Sequence, residues 1–155
     1  RHFRSKNDIL ALLIDDIEET LLVDIKKNNK QGLVTLSIIE KIMIDHISDI
    51  QQRKVVTFQV IAEIISLWDK KLNKKVYGVI EKYIGHIKGI LDIGAAKGYI
   101  NKDAYLDSAA LLFFSMTQGL VNLLALSHYE FDLRAKYKSL WSIFSQAVFT
   151  VKTVK

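Results

Sequence analysis

Four histidines, at positions 2, 46, 86 and 128, and the acids Asp15, Asp16, Glu18 and Glu19 are the side chains best able to do chemistry in this sequence. Neither set has the spacing of a catalytic or metal site. The histidines do not pair at ligand intervals, and no HExxH stretch, Gly-rich phosphate loop or local nucleophile signature is present. The expectation is therefore no enzyme, no metal and no cofactor. The four acids read as the solvated face of a helix. His46 and His86 are different, because each falls on or beside an apolar stripe, between Met43 and Ile50 and between Tyr83 and Ile90. A core histidine bonded to a backbone carbonyl would account for either. The alternative makes them the polar points of an apolar cavity, which is what orients a small ligand.

Several helical segments carry large aromatic or thioether groups that could point inward together. They predict an internal pocket lined by Met43, His46, Phe58, Ile61, Tyr83, His86, Phe113, Met116 and Thr117, with Gln118 as a further polar group. Arg53 and Arg134 lie off these stripes, so an anionic ligand would lack a bidentate partner. An apolar or aromatic effector, or a lipid tail with one polar end, fits better. The same side chains could also interdigitate at ordinary packing density and leave no void.

The elements that must hold these residues are helices. The chain has 155 residues, half of them apolar and a quarter charged, a globular composition long enough for a core. It contains no Pro and only 7 Gly, too little turn punctuation for a strand-rich domain. Apolar spacing gives six helices, at about 6–27, 33–51, 54–68, 69–97, 104–129 and 133–151. The first has Ile9, Leu13 and Ile17 on its main face, widened by Leu10 and Ile14; the third has Phe58, Ile61, Ile65 and Trp68. In the fourth the stripe is Leu72, Val76, Val79, Tyr83, Ile87 and Ile90, and its DKKLNKK opening reads as a loop or as wet first turns. Ser5 with Asp8 marks the first helix start, Gly98 the end of the fourth, and Asn101-Lys102-Asp103 the start of the fifth.

Cys is absent, which excludes disulfides and fits a reducing cytoplasm. The net charge of +5 comes from 18 Lys and 4 Arg; scattered lysines read as solvated surface, and so few arginines argue against base reading. Residues 108–129 carry no charge and are long enough to span a bilayer. Ser115, Thr117, Gln118, Gly119 and Asn122 break their centre, so an enclosed helix of a soluble protein is expected and no membrane partner. A helix apolar on every face has more surface than one neighbouring layer covers. The fifth and sixth helices thus predict a homodimer seam, with Leu133, Tyr137, Leu140, Trp141, Phe144 and Val148 in or near it and Gly119 permitting close approach.

The opening HFRSKNDIL, through His2, Phe3, Ser5, Lys6 and Leu10, resembles the junction that follows the recognition helix in the tetracycline-repressor family of bacterial transcription regulators. The order of six helices, the Gly98 to Ala104 segment and Gln118-Gly119-Leu120 are similar to that family more loosely, in pattern only. The resemblance implies an all-α, six-helix bundle with a ligand cavity among the first, second, fourth and fifth helices. It implies that the last two helices form a four-helix dimer bundle, and that effector binding tilts the first helix to release operator DNA. His2 and Lys6 would then contact DNA phosphates. Residues 1–4 would be the tail of a helix-turn-helix domain not contained in this chain, and residues 5–155 the ligand-binding and dimerisation domain. The function expected is a ligand-responsive repressor; the competing reading is a stand-alone helical carrier or interaction module for an apolar molecule.

Overall fold

A computed structural model describes residues 5–15, 41, 44, 55–128, 130 and 132–150, without the side chains of 55–58. Among these residues the fold is all-helical: α1 (6–15), α2 (Val55–Ser66), α3 (Lys70–Ala96), α4 (Leu106–Leu126) and α5 (Leu133–Val148). Most of the expected second helix lies outside the described residues, although Lys41 and Ile44 are both helical. Among the described residues there is no strand, and Ile100 and Phe149 form an isolated antiparallel bridge.

α4 is the central element and packs against α2, α3 and α5. By length and composition it could cross a membrane. One side of it, through Ala110, Phe113, Thr117, Val121 and Leu124, is enclosed by the other helices, while Leu112, Leu123 and Leu126 are exposed. The six stripe residues expected on α3 are all buried, and they lay one apolar face along the core for the whole helix. Asp69 settles the DKKLNKK stretch as helix: its carboxylate accepts from the amides of Lys71 and Leu72 at 2.9 and 3.0 Å, so the lysines form the wet first turns. At the other end Gly98, at φ 77°, takes the left-handed exit that any side chain would resist.

Three expectations change. The buried face of α1 is Leu10 and Ile14, while Ile9 and Leu13 are exposed. On α2 the buried pair is Ile61 and Ile64; Ile65 faces out, and Trp68 is 85% exposed beyond the helix end at φ 55°. Asn101 does not start α4. Its side chain donates to the Ala147 carbonyl at 2.9 Å and its amide to Val148 at 2.9 Å. Thr150 answers with its amide on the Tyr99 carbonyl at 2.9 Å, so this loop clasps the end of α5. The N-cap of α4 is Tyr105, which makes no side-chain cap bond. Ser5 does cap α1, with its hydroxyl accepting from the Asp8 amide at 3.3 Å.

Asp69 holds two helices, because it also accepts from the Asn7 side chain at 2.8 Å. Asp69→Ala should lower unfolding free energy by about 1–2 kcal/mol, read by urea denaturation; Asp69→Asn, which keeps a capping oxygen, should recover most of it.

Candidate functional site

The described part of the expected pocket is filled with ring contacts. Ile61, Tyr83, Phe113 and Thr117 are buried, and His86 and Met116 half-buried. Met43, His46 and the Phe58 side chain lie outside the described residues. Tyr83 meets Phe114 edge to face at 5.8 Å, and Phe113 meets Phe144 the same way at 5.9 Å. Trp141 and Phe149 extend the cluster around Phe144, at 5.5 and 6.4 Å. Such contacts are worth about 0.5–1.5 kcal/mol each beyond the area they bury. Tyr83 on α3, Phe113 on α4 and Phe144 on α5 are the largest fully buried rings of the core.

The polar groups in this core are few. The Thr117 hydroxyl donates to the Phe113 carbonyl one turn back at 3.0 Å, so its proton is used within its own helix. The Tyr137 hydroxyl is buried and has no hydrogen-bond partner among the described residues. Burial pushes the Tyr137 phenol well above the ordinary tyrosine range, and the neighbouring Tyr83 phenol adds to the rise. Burial alone does the same to Tyr83. Two phenols on different helices thus bring the polar ends of large rings into one apolar core. Sequence reading found Tyr83 by its place on the α3 stripe and gave Tyr137 to a dimer seam; nothing in the spacing signals that its hydroxyl is buried.

The expected seam residues divide. Leu133, Tyr137, Phe144 and Val148 are buried within their own chain, Leu140 and Trp141 half-buried, and Gly119 exposed. Outside the core run Leu112, Ser115, Gly119, Leu123 and Leu126 on α4, all exposed and at 3–4 spacing. Ile143 is 67% exposed on α5, between half-buried Leu140 and exposed Ala147. A Cβ built at Gly119 would meet nothing within 4 Å among the described residues, so none of these neighbours requires glycine there.

Of the expected phosphate contacts, His2 lies outside the described residues. Lys6 is exposed and pairs with Glu63 at 2.9 Å. Both side chains stand largely in water, where such a pair contributes little and exchanges readily. A scan of protein-family models finds no match to the chain, and no curated protein matches its sequence.

Two outcomes follow. Phe113→Ala should cost about 3–5 kcal/mol in urea denaturation, whereas Tyr137→Phe should be neutral or stabilise by about 1 kcal/mol, because it removes an unpaired polar atom. The buried phenols hold their protons in the folded state beyond the point where unfolded tyrosines lose theirs, near pH 10.0. Their contribution is fully present below that pH and is lost as pH rises above it. Absorbance titration should show these two phenols ionising together with unfolding and not before it.

Proposed function

We propose that this chain is the effector-binding and dimerisation part of a transcription regulator similar to the tetracycline-repressor family, acting as a cytoplasmic repressor. The observation that carries the proposal is the apolar stripe on α4 and α5 that is exposed among the described residues. Leu112, Leu123, Leu126 and Ile143 stand in water around the small residues Ser115 and Gly119. A stripe of large apolar groups flanking small ones fits a second pair of helices laid against it. A symmetric pairing would bury the same stripe twice and give the four-helix seam of such regulators.

The effector is a small apolar or aromatic molecule with one polar group. The Tyr137 hydroxyl, buried and without a partner among the described residues, supports that class: it offers one orienting hydrogen bond among rings and no charge to an anion. Effector binding would shift the population between two settings of α1, which joins the core through Leu10 and Ile14. A coupling of about 1–3 kcal/mol is enough for a switch.

Light scattering on the purified chain should give a dimer mass, and Leu112→Asp with Ile143→Asp should give a folded monomer. Both positions are exposed, so the substitutions spare the core. A wild-type monomer carrying a co-purified apolar molecule in native mass spectrometry would favour the carrier instead.

A further inference from the structure

Lysines crowd the start of α3 at Lys70, Lys71, Lys74 and Lys75, with Lys82 further along. They are not equivalent. Lys75 is held by Asp15 at 2.8 Å and by the Ala11 carbonyl at 3.0 Å, tying α3 to α1. Lys70, Lys71 and Lys74 are exposed, and their ammonium groups have neither a hydrogen bond nor an ion pair among the described residues.

Three nearby acids among the described residues already have partners. The Asp69 carboxylate takes two helix amides and the Asn7 side chain, Asp15 takes Lys75, and Glu63 takes Lys6. Asp69 also fills the amides at the helix end, so the attraction for an anion comes from the lysines and not from the helix N-terminus.

Two aromatic rings frame the free lysines. Trp68 is 85% exposed and sits at φ 55°, a backbone setting that a bulky residue adopts at a cost. Tyr77, 62% exposed, follows Lys74 by one turn. Neither ring contributes to the core. Beside them a cleft of about 670 Å³ runs between the start of α1 and α3, with Lys71, Lys74, Lys75 and Lys82 against Asp8 and Asp69. Lys75 is already paired with Asp15, so the exposed ammonium groups that Lys71 and Lys74 bring to this cleft supply its positive charge.

We infer that this face of α3, through Lys70, Lys71 and Lys74 with Trp68 beside them, binds the sugar–phosphate backbone of nucleic acid without reading its sequence. Lysine is a flexible point charge suited to phosphates and not to the bidentate reading of bases. An exposed indole next to a positive groove is the combination that holds an unpaired base by stacking. A strand enters a concave cleft, whereas a flat bilayer surface does not, so a lipid membrane fits the shape less well. The inference does not need the regulator reading. The Asn7–Asp69 bond nevertheless puts the patch at the end of the domain where α1 starts, the side on which that reading has DNA.

The test is fluorescence anisotropy of the whole chain with a labelled duplex of about 20 base pairs of arbitrary sequence, and with its single strand, between about 50 and 200 mM salt. Both probes should bind, and the K70A/K71A/K74A variant should lower the slope of log K against log salt by about 2–3 on the duplex. The matching arginine variant should keep the slope, and Trp68→Ala should weaken the single strand while sparing the duplex. All four positions are exposed, and circular dichroism checks that the helices remain. No binding at the lowest salt, an unchanged slope in the alanine variant, or binding to phosphatidylserine vesicles but to neither nucleic acid would overturn the inference. The dimer mass, measured on the same sample, stands or falls separately.

Discussion

A helix that is apolar on every face must be covered on every face, and α4 imposes that condition on the rest of the chain. α2, α3 and α5 each present one stripe to it, and their charged faces turn outward as a result. Ala110, Phe113, Thr117 and Val121 are enclosed in this way. At roughly 25 cal/mol per Å² of apolar surface removed from water, covering one side of such a helix is the dominant favourable term available to a chain of this length. The side carrying Leu112, Ser115, Gly119, Leu123 and Leu126 remains exposed among the described residues, and the proposed function follows from that remainder.

Polar contacts do a different job. Asp69 fixes where α3 begins and ties it to Asn7 on α1, while Asn101 and Thr150 clasp the α3–α4 loop to the end of α5. These bonds set the register of helices whose attraction is otherwise non-directional. Two helix ends, at Trp68 and His128, take the left-handed turn with side chains that resist it. A stop made without glycine is destabilising by about 1–2 kcal/mol, so the surrounding packing must hold it.

How much was legible depends on whether periodicity had a direction. On α3, apolar residues recur among lysines and other polar residues, and all six expected stripe positions are buried. On α2 the run VVTFQVIAEIIS is apolar in several directions, and the choice between Ile64 and Ile65 could not be made from spacing. Leu133, Tyr137, Phe144 and Val148 on α5 form a clear stripe, yet spacing says only that a face is covered and not by which chain. They belong to their own core. Asn101 was illegible for another reason: its partner, Ala147, lies 46 residues away, and a capping side chain and a long-range clasp look alike in one dimension. Of the residues expected around a pocket, Tyr83 and Phe113 were legible as inward rings on α3 and α4. Whether rings fill a space or enclose one depends on distances that composition does not carry.

The claim that a second copy of this chain covers the α4–α5 stripe can be tested at one atom. The chain has no Cys, so Ser115→Cys introduces a single thiol in the middle of the stripe, and Lys97→Cys provides a control at the end of α3. The rate of maleimide alkylation reads how open each position is. If a second copy covers the stripe, the thiol at position 115 reacts much more slowly than the control and speeds up when the protein is diluted or carries Leu112→Asp with Ile143→Asp. A thiol at 115 that reacts as fast as the control at every protein concentration would contradict the account.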